Sequence, residues 1–566
     1  MKTTEENRDP GTRLNHPAIL ALGITTLCLL TLISPFLNHT LIYHLTGSAM
    51  PLFLTVAANF LALWLFLTLL LWVTRKPGPI HLVLRLGLGL ILPWILLKDY
   101  VVLTTTYLPH AASVILLLAS FATFLLVLVL WRDAFLPTLR HLQSFVASLL
   151  GATALLGLLL LGQLGWFAWQ ARHLNQPIPL HPRTIAAAPR PRIIWILLDE
   201  LSYQQVYGDR FPNLQLPAFD QLATQSTVFT HVQPAGIFTE VVIPSLLSGH
   251  PADDIQIAAN GRDLNLLDPA TDTWQPFNPH DTIFQDALDH GYSTAVAGWF
   301  NPYCRILPTV LDQCTWTGHL PILNGLFDYQ PLRATLFQPA TRLLATARAF
   351  LFRGKRPTID ANRDARLHTQ DYNELFAASD RLLADPSATF VFLHMPIPHP
   401  NPIYNRHTHT FNPTNSSYLD NLALADEYLA HVHQLLQQQN QWDSSTILVM
   451  GDHAWRTRLI WSTQSTWTPE DAAASHQTQP PSPSTSQPQT QTQTQTQTQT
   501  QTQTQTQTQP AFDNRPGYIL KLPNQQTPNR IDQPFAAIET RNLLKAILNQ
   551  TLKTPEDLNN WLQNAH

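Results

Sequence analysis

Apolar positions follow two different patterns along this chain. Before residue 171 they run in long, nearly uncharged stretches, about 17–36, 51–74, 81–105, 110–131 and 145–170, each long enough for a membrane helix. The third is the most interrupted, with Arg85 near its start and Lys98-Asp99 near its end; without it the spans would number four and the C-terminal part would change sides. A cleaved signal peptide accounts poorly for the first stretch, which has four successors and no small-residue cleavage site. Past residue 190 the apolar runs shorten to strand length and alternate with helical periodicity. Ile193–Leu198, Val228-Phe229, Ser293–Ala297, Ala388–Leu393, Ile447–Met450 and Ile519–Leu522 are predicted as strands. Leu214–Ser226, Asp281–His290 and Tyr418–Asn440 are predicted as helices, the second stopped by Gly291.

This order predicts an all-α transmembrane domain of five helices over 1–171 and a linker rich in Pro, Ala and Arg over 172–190. An α/β domain with a mostly parallel central sheet follows over 191–566. Residues 477–510 break the pattern: a Pro/Ser segment passes into a Gln-Thr repeat, Gln489 to Gln509, with nothing apolar to bury. It reads as a disordered, low-complexity insertion within one domain.

Charge sets the orientation. Lys2, Arg8 and Arg13 precede the first stretch, Arg75 and Lys76 follow the second, and Arg132 and Arg140 follow the fourth, while loops 37–50 and 106–109 have no Lys or Arg. The positive-inside rule then puts the N-terminus in the cytoplasm, and an odd number of spans puts everything after 171 outside it. The location is a multi-pass protein of a bacterial-type inner or plasma membrane, with a periplasmic or extracellular domain. A net charge of −4 and no basic run argue against nucleic acid as a partner. Of the 3 cysteines, Cys28 lies in the first stretch. Cys304 and Cys314, close together in the exported part, suit a local disulfide, or zinc if two further ligands join them.

Candidate chemistry gathers where strands end. Ile193–Leu198 stops at Asp199 and Glu200, and Ile447–Met450 stops at Gly451 and delivers Asp452 and His453. Carboxylate and imidazole are both good divalent-metal ligands, and α/β sheets collect functional groups at the carboxyl ends of their strands. Thr239 lies where an apolar helix begins in Gly236-Ile-Phe-Thr-Glu-Val-Val-Ile-Pro-Ser-Leu-Leu-Ser-Gly249. A hydroxyl there is a cap or, beside a metal, a nucleophile. His394 and His399, in Phe392-Leu-His-Met-Pro-Ile-Pro-His-Pro400, follow a strand. Either is a ligand, an acid, or a loop histidine with its own partners.

Taken in order, these motifs resemble the alkaline phosphatase superfamily, in particular its membrane-anchored sulfatase-like branch of phosphoethanolamine transferases and lipoteichoic acid synthases. The likeness rests on Leu198-Asp199-Glu200, on Thr239 followed by Pro244, on Pro398-His399-Pro400, on Gly451-Asp452-His453 and on the closing strand in Arg515–Pro523. It covers most of 191–565 and matches the layout of five membrane helices before an external α/β domain.

The resemblance implies a Thr239 nucleophile whose oxygen binds one or two zinc or manganese ions, with Asp199, Glu200, Asp452 and His453 as the other ligands. His399, and with it His394, would protonate the leaving group or grip the substrate phosphate. Arg456 and His476 fall where relatives keep further polar groups. The segment Val242-Ile-Pro-Ser-Leu246 carries Val and Leu where formylglycine sulfatases need Cys or Ser and Arg, which disfavours that chemistry. The implied activity is a phosphotransferase or phosphodiester hydrolase that takes a membrane phospholipid donor and passes its group to a glycan, a lipid or water. A sulfate or phosphate ester hydrolase and a non-catalytic membrane scaffold are the alternatives.

Overall fold

The computed structural model describes residues 16–33, 43–45, 49–73, 122, 132–174, 178–181, 191–212, 214–258, 260–319, 336–337, 361–412, 416–455 and 513–564. Among the described residues three helices lie in the N-terminal part: α1 (Pro17–Ile33), α2 (Ala49–Val73) and α3 (Arg132–Gln170). They coincide with the first, second and fifth apolar stretches. Most of the third and fourth stretches, Arg456, His476 and the 477–510 insertion lie outside the described residues. Among the described residues two helical segments, Phe53–Val73 and Ala147–Gln170, are long and apolar enough to cross a membrane. At 25 residues α2 is about 38 Å long, more than the ~30 Å of a bilayer's hydrocarbon core. Helix α3 starts well before residue 145, at Arg132, and runs through Pro137. Both α2 and α3 turn large apolar side chains outward, among them Leu65, Phe66, Leu69, Leu155, Leu159 and Trp166.

The second part is built on a mixed sheet of eight strands: β1 (Ile193–Leu198), β2 (Thr227–Phe229), β3 (Thr294–Trp299), β4 (Gln313–Thr317), β5 (Phe390–Met395), β6 (Thr446–Met450), β7 (Tyr518–Lys521) and β8 (Asn529–Ile531). Their order is β8-β2-β7-β6-β1-β5-β3-β4. Only β7 runs antiparallel to its neighbours, so this is the mostly parallel α/β sheet expected. The central strand β1 is buried along its whole length, as befits a parallel strand covered on both faces.

Alternation along the strands splits the core in two. Ile193, Trp195 and Leu197 share one side with Phe390, Phe392, Leu448 and Met450. Helices α5 (Thr239–Ser248), α6 (Ile283–Asp289), α10 (Thr540–Leu548) and α11 (Pro555–Asn564) pack there. Ile194, Ile196 and Leu198 face the other side with Val391, Leu393, Ile447 and Val449. Helices α4 (Pro217–Ala223), α8 (Ala361–Ala384) and α9 (Tyr418–Gln438) cover that side, and the short α7 (Tyr303–Ile306) sits between β3 and β4.

Several elements go beyond the sequence reading. Edge strand β4 is polar, β8 is only three residues long, and α8 is an amphipathic helix in a charged stretch. A separate antiparallel sheet pairs Asp254–Ile257, Leu264–Asp268 and Thr273–Pro276. Cys304 and Cys314 form a disulfide that ties α7 to β4.

Candidate active site

Strands β6, β1 and β5 are adjacent and parallel, so their carboxyl ends share one edge of the sheet. Asp199 and Glu200 follow β1 in a turn where Glu200 takes φ +62°, a left-handed conformation uncommon for a non-glycine residue. Across the edge, Gly451 lets the end of β6 pass close to that turn. A Cβ there would lie 2.6 Å from the carbonyl oxygen of Leu201, a distance side chains do not tolerate. The glycine of the Gly-Asp-His triplet is thus a steric requirement of the crossing. It brings Asp452 to the β1 turn, where Oδ1 accepts a hydrogen bond from the Glu200 N–H at 3.0 Å.

Thr239 is the first residue of α5. The helix is held by buried Val241, Val242, Ile243, Leu246 and Leu247, which fix where its N-terminus points. The Thr239 hydroxyl donates to Asp452 Oδ2 at 2.8 Å and lies 3.4 Å from Asp199 Oδ2 and 3.4 Å from His453 Nε2. Its side chain is nearly enclosed, as are those of Asp199, Glu200, Asp452 and His453. Ligand atoms of Asp199, Asp452 and His453 lie within 4.8 Å of one another, as do those of Asp199, Glu200 and His399. Three carboxylates in one water-poor site repel each other, so the donor set fits a divalent cation better than it fits vacuum. Burial raises the Asp452 carboxyl, but the neighbouring His453, the Glu200 N–H, His394 and the Thr239 hydroxyl outweigh it and hold the group below its ordinary value.

His394 and His399 occupy different surroundings. The sequence placed both in a loop, but β5 continues through Met395 because its backbone keeps pairing with β1 up to Leu198. His394 is therefore a strand residue and completely buried. Its Nε2 lies 3.1 Å from Asp199 Oδ2 and its Nδ1 lies 2.7 Å from the Tyr303 hydroxyl. Burial lowers its pKa to about 4, so the ring is neutral at physiological pH. With no exposed atom, His394 lies packed behind Asp199. His399 does lie in a loop, half-buried, with its ring 5.0 Å from that of Trp299 and its Nδ1 2.8 Å from the Pro400 carbonyl.

Other contributors had no local signal. Tyr418 donates its hydroxyl hydrogen to the Glu200 carbonyl at 2.8 Å and stacks flat on Trp455 at 4.4 Å, bracing the strained turn. Asn301 reaches the Thr239 carbonyl at 3.4 Å. Trp299 forms a wall beside His394 and His399 and is anchored by its N–H to Asp371 at 2.9 Å. Each depends on tertiary contacts between distant segments.

The family model for sulfatases matches residues 191–500. No curated protein sequence matches the chain. Similar solved structures include the lipoteichoic acid synthase LtaP from Listeria monocytogenes, 13% identical over 66% of this chain and 74% of that one, with a TM-score of 0.33. The phosphonate monoester hydrolase of Agrobacterium radiobacter is 12% identical over 64% and 74%, TM-score 0.33. A protein in the alkaline phosphatase superfamily from Vibrio parahaemolyticus is 12% identical over 65% and 68%, TM-score 0.33. The Asp and His groups gathered here are of the type that binds a divalent metal. The family match spans more than half of the chain, including the Asp199 turn, Thr239 and the Asp452-His453 pair, and the chain belongs to the sulfatase family.

Proposed function

We propose that this protein is a membrane-bound, metal-dependent phosphotransferase or phosphodiester hydrolase with Thr239 as its nucleophile, working on the outer side of the membrane. One observation carries the reading: the hydroxyl of Thr239, at the N-terminus of α5, sits within 3.4 Å of Asp199, Asp452 and His453. A zinc or manganese ion held by Asp199, Asp452 and His453, with Glu200 in reserve, would supply positive charge that acidifies the hydroxyl and offsets charge on a phosphate. The N-terminus of α5 adds a favourable dipole for the same anion.

Thr239 Oγ1, its proton lost to solvent, attacks phosphorus and the bond from phosphorus to the leaving alcohol breaks. His399 gives that alcohol its proton. An acceptor hydroxyl, or water, then gives its proton back to His399 and attacks the phosphothreonine, and the bond from phosphorus to Thr239 Oγ1 breaks, which frees Thr239. Val242 favours threonine over formylglycine: it lies one turn into α5, buried, and carries no oxygen.

The membrane reading is supported by the outward apolar faces of α2 and α3. It is supported also by Trp166 and Trp169, stacked at 5.0 Å near the end of α3, with the Arg172 guanidinium 4.0 Å from the Trp169 ring. Such Trp-Arg clusters suit the membrane–water interface. The Arg305 side chain donates to the Tyr43 carbonyl at 2.6 Å, which joins the loop after α1 to the α/β part. Loop charge assigns that loop to the outer side, the side required for this contact. We propose on this basis a five-span anchor with a cytoplasmic N-terminus and a phospholipid donor drawn from the adjacent leaflet.

Intact-mass analysis of the protein incubated with a lipid extract tests the nucleophile. A mass adduct on the Thr239 peptide is expected, and Thr239→Ala should lose it together with at least about 10³-fold of turnover. Undiminished turnover of a nitrophenyl phosphodiester by Thr239→Ala would sink the assignment, and preference for nitrophenyl sulfate would favour ester sulfate as substrate.

A further inference from the structure

We infer that Tyr303 is a positioning residue for Asp199, acting through His394, and that its hydroxyl sets how tightly the site holds a divalent cation. The inference rests on the proposed role of Asp199 as a ligand and adds a residue to it. Asp199 Oδ2 lies 3.1 Å from His394 Nε2, and His394 Nδ1 lies 2.7 Å from the Tyr303 hydroxyl. All three side chains are fully buried.

Hydrogen-bond chemistry gives this chain one direction. A carboxylate only accepts, so the hydrogen of a neutral imidazole sits on Nε2, and Nδ1 is left as the acceptor for the tyrosine O–H. Tyr303 therefore favours the tautomer that donates to Asp199, against the Trp299 carbonyl, which also draws the imidazole's hydrogen. Burial raises the phenol well above its usual range, which keeps it a donor. Metal-bound histidines are commonly oriented by a carboxylate behind them. Here the order is reversed, with a histidine behind the carboxylate.

The surrounding structure keeps the tyrosine in place. A Cβ on Gly298 would lie 2.2 Å from the Tyr303 ring, so the ring occupies space that only glycine in β3 leaves open. Cys304, the next residue, is bound to Cys314 in β4. Arg305 grips Tyr43 and lies 5.0 Å over Trp316. The rings of Phe392 and Trp299 enclose His394 at 6.5 and 6.1 Å. Side-chain hydrogen bonding from Asn301 also reaches the phenol. The bland account, a tyrosine that only fills core, explains the ring but not the aim of the hydroxyl.

Tyr303→Phe keeps the ring and deletes the hydroxyl. The test is calorimetric titration of manganese(II) into chelator-treated, full-length protein in detergent, for wild type, Tyr303→Phe and Asp199→Asn. The expected result is a loss of manganese affinity of about 10- to 100-fold in Tyr303→Phe, with little change in the thermal midpoint of the metal-free protein. Wild-type affinity in Tyr303→Phe alongside lost binding in Asp199→Asn would overturn this inference alone. Wild-type affinity in Asp199→Asn would overturn the ligand assignment and the inference with it.

Discussion

Replacing Gly451 by alanine tests where the site gets its geometry. The added Cβ would lie 2.6 Å from Leu201 O, 3.1 Å from Leu201 N and 3.2 Å from His453 O. All three are backbone atoms, so no rotamer change relieves the clash. The backbone is also pinned on this edge: Gly451 N–H donates to the Gly517 carbonyl at 2.9 Å, and Gly517 N–H to Leu201 at 2.8 Å. Reaching ordinary contact, which begins at 3.4 Å, requires the β6 end and the β1 turn to part by about 0.8 Å. Overpacking of this kind costs about 1–3 kcal/mol of stability. A shift of that size between Asp452 and Asp199 should cost on the order of 10²-fold in turnover. Gly517→Ala is the matched control, because its Cβ meets the Leu201 side chain first, Cδ2 at 2.9 Å, and that side chain can rotate away. Phosphodiester hydrolysis, manganese titration and thermal midpoint would be measured for both. Gly451→Ala should fall in all three while Gly517→Ala stays within about twofold of wild type in activity. A Gly451→Ala protein with wild-type turnover and manganese affinity would refute the steric reasoning.

Metal removal should be felt as instability, since chelation leaves Asp199, Glu200 and Asp452 buried together. At a metal concentration 100 times Kd the bound ion contributes about 2.7 kcal/mol, so EDTA should lower the thermal midpoint and manganese or zinc restore it; an unmoved midpoint counts against a metal centre. A separate pH effect comes from Asp426, which caps α4 by accepting from the Ala218 and Phe219 N–H groups. Burial raises its carboxyl to about 6, against the opposing pull of those two bonds. A folded pKa above the unfolded value of about 3.9 gives a contribution that is complete below that value and lost as pH rises through about 6. Up to about 3 kcal/mol of stability should disappear between pH 4 and 6, and Asp426→Asn should flatten that slope in denaturant titrations. Parallel slopes for the two proteins would contradict the assignment.

Much of the sheet was legible because buried parallel strands write themselves as short apolar runs. Ile193–Leu198 kept its predicted bounds, and the predicted Ile447–Met450 gained only Thr446. The misreading at His394 has the same origin. An apolar-run criterion ends a strand at the first polar side chain, whereas backbone pairing carried β5 two residues further. That difference moves His394 from a loop, where it would meet substrate, into the packed wall behind Asp199. Edge strand β4 and amphipathic α8 were missed for a related reason, since neither buries enough of its side chains to form a run.

What a single sequence does not contain is adjacency. Asp199-Glu200 and Asp452-His453 each announced themselves as ligand-type residues past a strand, but any two strands of an eight-stranded sheet can lie far apart. Their convergence follows from β1 being placed between β5 and β6, with Leu197 in register with both His394 and Met450. Register then puts the His394 ring beside the Asp199 carboxylate and carries Asp452 to the turn at Glu200. Thr239 arrives on a helix whose buried apolar residues pack against the Trp195 side of the same sheet. The site therefore rests on two structural facts the sequence could only imply: three parallel strands ending on one edge, and a helix N-terminus aimed at that edge. Tyr303 adds a third, because a hydroxyl behind a histidine behind a carboxylate becomes meaningful only when β3 and β5 are neighbours.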